Sequence, residues 1–379
     1  MTLIQKRPRK RRVKTLTRLK KLINLCRLGR LYEVEKWIRR GRSVRLRSDK
    51  LDTTPLCAAV ESGFYSLVEL LLRNGCSPNG QVGYYPNAIA RAAKVGRLDI
   101  VQLLLDHGAD LGSIHIYYHA CRGSDPSIIA SLIALGVDPA ADNGIARALC
   151  EQESKEVLEA CKDLRGRFPK IQFQFDIALR NHCRLGHVEW AKLLLSCGAN
   201  PRNKVPWIND KDNEPQYWGS AMETTCRFGY IEILREMGVS AQTDDLNKLL
   251  DQAGLSWSKE TIQFLMNLGA DPNVPNEFGR SLLDNAIDHA GFGYVCRKGS
   301  AAPFLAELVR LGVKWQPRDQ RSFNDLRSLL VQNDRYASVE FIKEIKSHDA
   351  CPRDVLKKLL NTKRMKGYFN FYFKELIAP

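Results

Sequence analysis

Apolar side chains recur along the chain in short groups, each ending on a glycine. Counting back from that glycine, apolar residues stand at minus seven, minus four and minus three: Val68, Leu71 and Leu72 before Gly75, Val101, Leu104 and Leu105 before Gly108, Ile129, Leu132 and Ile133 before Gly136. The same positions are filled by Val34, Trp37 and Ile38 before Gly41, by Ala191, Leu194 and Leu195 before Gly198, by Ile262, Leu265 and Met266 before Gly269, and by Leu305, Leu308 and Val309 before Gly312. The i, i+3, i+4 spacing draws one apolar stripe on a short helix. The glycine can take the left-handed conformation that ends a helix, and the Asp-Pro or Asn-Pro that follows it at 138–139, 200–201 and 271–272 starts a turn.

A second apolar segment lies upstream of a glycine that opens each group, as in "TPLCAAV" (54–60), "NAIARAA" (87–93), "IALRNHC" (177–183) and "SAMETTC" (220–226). Each unit therefore predicts helix, turn, helix, turn. With Gly238 included, the closing glycines are separated by 34, 33, 28, 62, 40, 31 and 43 residues. The 62 is close to two periods, and "ARALCEQESKEVLEACKDL" (146–164) supplies a degenerate unit to fill it, which brings the mean period to about 34. A unit this short cannot bury its own stripe and must stack on its neighbours. The expected fold class is all-α, a helix-turn-helix solenoid of about nine repeats.

These units resemble the ankyrin repeat, whose pattern runs T-P-L-H-x-A-A-x-x-G, an apolar helix, then G-A-D-x-N. Thr54, Pro55, Leu56, Ala59 and Gly63 match its start, with Cys57 in the histidine place. Gly108, Ala109 and Asp110 match its ending, as do Gly269, Ala270, Asp271 and Asn273, and Gly198, Ala199 and Asn200. The resemblance runs over 22–315, strong in repeats two, three, six and eight and weak in four, five, seven and nine, where T-P-L-H is lost. It implies paired antiparallel helices with hairpin-like loops at one edge, and recognition of another protein through loop tips and a concave helix face. Other helical-pair arrays, of the HEAT or tetratricopeptide type, are the alternative. The expected organisation is a basic, flexible arm at 1–21, the array at 22–315, and a helical capping segment at 316–379 in which the period is lost.

Charge changes this picture at one end only. Residues 1–50 hold 19 of the 58 Lys and Arg and three of the 42 acids, so the net +16 of the whole chain is carried there and 51–379 balance. "KRPRKRR" (6–12) is six-sevenths basic, and Lys6, Arg7, Arg9, Lys10, Arg11, Arg12, Lys14 and Arg18 are candidate phosphate contacts for DNA or RNA, an electrostatic mode that needs no ordered fold. A solubilising tail, a nuclear localisation signal in a host with a nucleus, and a basic amphipathic helix touching an anionic membrane are the competing readings. Leu16, Leu19, Ile23 and Cys26 form a helical stripe there, so capping of the first repeat is the simplest. No run approaches 18 apolar residues and no secretory apolar segment follows the basic start, so a cytoplasmic or, in a eukaryotic host, nuclear protein is expected.

Eleven cysteines, an odd number spread from Cys26 to Cys351 with no C-x-x-C, read as thiols. Cys26, Cys183 and Cys226 stand three residues before an opening glycine, a place that wants a small apolar side chain. Searches for G-x-x-x-x-G-K-[ST], G-x-S-x-G and H-E-x-x-H find nothing. His115 and His119, at i, i+4 with Cys121 nearby, could hold a metal but fall on the first helix of repeat four, where packing is the better account. No catalytic residue, cofactor or metal is expected. Binding has better candidates, namely Tyr84 and Tyr85 in "NGQVGYYP", Trp207, Asn209, Asp210 and Trp218 in the long connection 200–218, and Phe292 and Tyr294 in 288–303. Such aromatics are either partner anchors or lids folded back over a core edge. The tail "KRMKGYFNFYFKEL" mixes basic and aromatic residues as nucleic-acid surfaces do, and reads more simply as a plug on the last repeat. The expected function is a non-enzymatic binding scaffold, with nucleic-acid binding by the basic start as the rival.

Overall fold

The computed structural model describes residues 9–45, 51–80, 86–110, 116–123, 126–139, 143–208, 218–291, 301–317, 319–332 and 334–377, with backbone alone at 9–15, 288–291 and 377. The chain divides into two compact units, up to Ala178 and from Leu179 onward. The first holds the helix pairs α1 (Arg9–Arg27) and α2 (Leu31–Arg39), α3 (Pro55–Ser62) and α4 (Tyr65–Arg73), α5 (Ala88–Val95) and α6 (Leu98–Asp106), α7 (Ile116–Cys121) and α8 (Ile128–Ala134), α9 (Gly144–Glu151) and α10 (Lys155–Arg165). Helix α11 (Pro169–Leu185) begins in the first unit and ends in the second, where it pairs with α12 (Val188–Ser196). Then follow α13 (Ala221–Phe228) and α14 (Ile231–Glu236), α15 (Leu246–Gly254) and α16 (Lys259–Asn267), α17 (Leu282–Gly291) and α18 (Ala301–Arg310), and α19 (Gln320–Gln332) and α20 (Arg335–Ser347). Three short helices close the described chain, α21 (Arg353–Leu360), α22 (Lys363–Phe369) and α23 (Phe373–Ile377).

Within each unit the first helices of successive pairs pack on one another, as α1 on α3, α3 on α5 and α13 on α15, and so do second helices, as α2 on α4 and α16 on α18. This is the helix-turn-helix solenoid that the apolar stripes predict. The stripe is the reason: Val68, Leu71, Val101, Leu104, Ile129, Leu132, Ile262 and Leu265 are all wholly buried. The minus-three positions sit at the stripe's edge, and Leu105, Ile133, Leu195 and Met266 are only half-buried there. The degenerate unit inferred at 146–164 is α9 and α10, with Val157, Leu158 and Cys161 fully buried.

Where T-P-L-H is lost the cap survives in other chemistry on α13 and α17, whereas Asn143 makes no side-chain cap bond on α9. The Thr54 hydroxyl accepts from the Cys57 N–H at 3.1 Å with Pro55 behind it, and Asn87, Asp245 and Ser281 cap α5, α15 and α17 at the same place. Ser220 and Glu223 form a reciprocal capping box on α13, each side chain accepting from the other's N–H at 3.0 Å.

The array runs one pair further than the sequence pattern indicates. Helices α19 and α20 pack on α17 and α18, and α20 closes on Asp349, whose φ of 48° puts an aspartate where the other units have a left-handed glycine. The Ala350 N–H then donates to the Ile345 carbonyl at 2.9 Å, as the Ala109 and Ala270 N–H groups donate to Leu104 and Leu265. "SHDACP" (347–352) is thus the closing turn of a tenth pair, disguised because its glycine is missing. At the other end, α1 is continuous from Arg9 to Arg27, across the boundary expected at 21, with Leu19, Leu22, Ile23 and Cys26 buried. The thiols of Cys26 and Cys183 fill buried places, and desolvation pushes both up to about 12.

One device recurs at the turn between the two helices of a pair. A β-carbon on Gly29 would collide with the Phe64 ring, and one on Gly186 with the Tyr230 ring. In both cases the residue that starts the second helix of one pair lies across the bare opening glycine of the pair before it.

Candidate partner-binding surface

The loops that follow the closing glycines are bonded to one another in a regular way. Four residues after its closing glycine, Asn79 donates to the Gly108 carbonyl at 2.9 Å and accepts from the Asp110 N–H at 2.8 Å. Asn273, at the same place, donates to the Gly312 carbonyl at 3.1 Å and accepts from the Lys314 N–H at 2.8 Å. One carboxamide supplies both a donor and an acceptor, so it can pair with a peptide edge as a neighbouring strand would. This gives a physical role to the asparagine in the G-A-D-x-N ending.

Arg202 occupies the equivalent place in its repeat. Its guanidinium donates to the Gly238 carbonyl at 3.0 Å and grips Asp244 with both arms, at 2.7 and 2.9 Å. Burial alone would push the Asp244 carboxyl up, but Arg202, the Ser240 N–H and the Thr243 hydroxyl outweigh it and hold it below the usual carboxylate range. Arg45 reaches the Asn74 carbonyl at 3.3 Å in the same manner. In these four repeats, therefore, a loop is fixed by a side chain from the loop before it.

The long connection after Arg202 is pinned at its neck. Val205 and Gly219 form an isolated antiparallel bridge, with N–H to carbonyl distances of 3.1 and 3.2 Å. The half-buried Trp207 ring lies under the Arg180 guanidinium, 3.7 Å from its centroid, and Arg180 itself donates to the Val205 carbonyl and to Thr224 Oγ1. Trp207 thus has a packing role. Trp218, across the neck, is 37% exposed. Asn209, Asp210, Tyr84, Tyr85, Phe292 and Tyr294 lie outside the described residues.

A cavity of about 350 Å³ opens between α15 and the loop 271–277, lined by Asp245, Lys248, Asp251, Asp271, Val274 and Glu277 among others. Burial raises the Asp251 carboxyl above its usual range, opposed by hydrogen bonds from Asn276 and Asn285. Lys248 is occupied by Glu223 at 2.7 Å, which leaves the cavity acidic. Val274, in its lining, is 47% exposed, and Phe278, next in sequence to the lining residue Glu277, is 65% exposed. Sequence reasoning sought aromatics in the loop at 84–85 and in the two insertions, and so passed over both residues. The available signal was an aromatic inside a turn, "NEFGR" (276–280), with no stripe to join.

Of the basic candidates, Arg18 is exposed on α1, Arg9, Lys10, Arg11, Arg12 and Lys14 belong to its backbone, and Lys6 and Arg7 lie outside the described residues. His119 is half-buried on α7, edge-on to the Tyr118 ring at 5.3 Å, and Cys121 is buried, while His115 is outside the described residues. Among the described residues no helix is long and apolar enough to cross a membrane.

Capped helix pairs of this period, stacked through one stripe and tied loop to loop, define a repeat-built scaffold. Residues 22–115 match the family model for ankyrin repeats, three copies. Over that stretch the chain carries ankyrin repeats, which generally serve as protein–protein interaction modules. Among solved structures it is similar to the human ASB11 ankyrin repeat domain, with 17% identity over 78% of this chain and 98% of that one and a TM-score of 0.25. No curated protein matches it in sequence.

Proposed function

We propose that this protein is a non-enzymatic scaffold that binds another protein along the loop edge of its repeats. The observation that carries this reading is the loop-to-loop bonding by Asn79, Arg202 and Asn273, which fixes the loops before a partner arrives and so removes an ordering cost from binding. In the second unit, the acidic cavity beside the exposed Phe278 and Val274 suits a basic segment with an apolar anchor. Trp218 at the neck of the long connection is a further contact, and Asn209, Asp210, Tyr84, Tyr85, Phe292 and Tyr294 remain candidates. The test is capture of partners from a host lysate by the wild type and by Phe278→Ala/Val274→Ala, identified by mass spectrometry. Loss of a specific, stoichiometric partner with unchanged melting supports the reading, and an identical captured set sinks it. The second reading, nucleic-acid binding through α1, rests on the concentration of the whole net charge in the first 50 residues.

A further inference from the structure

The chain as a whole places its charge excess at the N-terminus, yet four cations converge at the other end. Between α20, α21 and α23 lies a cavity of about 680 Å³. Lys343 and Lys346, one turn apart on α20, and Arg353 and Lys357, one turn apart on α21, line it from two sides. Its apolar floor is made by Leu356 and Leu376, both buried. Among the described residues the acids in the lining are Asp349 and Glu375, and Glu340 reaches Lys343 from outside it at 3.8 Å, so Arg353 and Lys357 are the two cations left without a carboxylate.

Glu375 shows what the cavity holds. This residue, on α23, sets its carboxylate 3.1 Å from the Lys343 ammonium, and its backbone carbonyl accepts from Lys346 at 3.1 Å. Glu375 is exposed, so nothing but this pairing keeps its carboxylate there, and such pairs contribute little in water. Arg353 and Lys357 meet no carboxylate among the described residues.

We propose that this cavity is a binding site for a phosphate monoester, with the Glu375 carboxylate as its internal stand-in. A phosphate monoester carries close to two negative charges at neutral pH and three acceptor oxygens, which matches the two unbalanced cations and the fork of Arg353. A carboxylate brings one charge and leaves a cation unmatched. The volume exceeds what inorganic phosphate needs and falls in the range of small-ligand sites. The Leu356 and Leu376 floor is where the ester's carbon would rest. On binding, the phosphate displaces the Glu375 carboxylate from Lys343, and no bond is made or broken. The ester could be a small metabolite or a phosphorylated side chain of another protein, and the site stands whether or not the loop edge binds a partner.

The experiment is calorimetric titration of the full-length protein, in phosphate-free buffer, with inorganic phosphate, O-phosphoserine and a phosphoserine peptide paired with its unphosphorylated form. Arg353→Gln/Lys357→Gln should weaken O-phosphoserine binding about tenfold or more. Both residues are exposed, and an unchanged melting curve confirms that the variant folds. Glu375→Gln should tighten binding about threefold or more by removing the stand-in, whereas Glu232→Gln, the same charge change on α14 and away from the cavity lining, should not. A variant with Arg9, Lys10, Arg11 and Arg12 changed to Gln should bind as the wild type does. A peptide preference over O-phosphoserine assigns the site to a phosphoprotein, and equal affinity assigns it to a small ester. The proposal is overturned if neither ester binds at roughly 10 mM, far below any useful affinity, or if Arg353→Gln/Lys357→Gln binds like the wild type, or if the N-terminal variant loses binding to the same extent.

Discussion

Asn273 and the two carboxylates Asp244 and Asp284 show how much a single side chain decides here. Asn273→Ala removes a donor and an acceptor from the joint with the next loop, and should cost about 1 kcal/mol in denaturant unfolding, with faster amide exchange at Lys314. Asp284, which accepts from the Ser281 hydroxyl at 3.0 Å and the Trp315 indole at 3.2 Å, is raised by burial despite both bonds. Its folded-state affinity for a proton exceeds the unfolded one, so it costs stability as pH rises through its folded pKa. Asp244, held down by Arg202, behaves oppositely: its contribution is complete above the ordinary carboxylate pKa of about 4 and is lost as pH falls through its depressed folded value. Relative to the wild type, Asp284→Asn should therefore gain stability from acid to neutral pH while Asp244→Asn loses it. Urea denaturation at a series of pH values checks both signs, and parallel curves would contradict them. Neither carboxylate was legible in the sequence, because their partners stand 31 and 42 residues away.

Among the elements, the second helices were the most legible, since a stripe against a glycine needs only local spacing. Leu104, wholly buried on α6, should cost roughly 2–5 kcal/mol when changed to Ala, measured by equilibrium unfolding. First helices were harder to read, because the cap residue is Thr, Asn, Ser or Asp in different repeats and α9 begins at Asn143 without a side-chain cap bond. The tenth pair was missed for the same kind of reason, an aspartate in the glycine's place. Asp349→Gly should relieve the left-handed β-carbon and leave the chain about 0.5–1 kcal/mol more stable, read as a higher melting temperature. The insertion at 200–218 gives a different lesson. In sequence its Trp207 could be read equally as a partner anchor or as a lid folded back on the core, and with Arg180 over its ring Trp207→Ala should lower the melting temperature, whereas Trp218→Ala should not.

On the scale of the whole molecule, charge placement was plain in the sequence and its use was not. If α1 binds nucleic acid, log affinity should fall linearly with log salt at a slope of about 0.9 per phosphate neutralised, with no preference between unrelated duplexes. Truncation at residue 22 would cut α1 through its buried face, so the comparison must use substitution of Arg9, Lys10, Arg11 and Arg12 by Gln. Unchanged duplex affinity in that variant would show that these four cations are not the contact. The basic cavity at the C-terminal end escaped sequence reading because its four cations come from two helices and are closed by a third, an arrangement invisible to a running sum of charge.

The rings of Phe64 and Tyr230 over the bare glycines Gly29 and Gly186 give the stack a direction, like roof tiles laid from one eave. At these two turns the tile is weatherproofed by the one laid after it. A chain cut short after α2 or after α12 would therefore be left with that turn wet. Loss of the first tile uncovers no such turn. Duplication of the repeat that carries Phe64 or Tyr230 has the same polarity, since the added copy would bring a ring for its predecessor and a bare glycine for its successor.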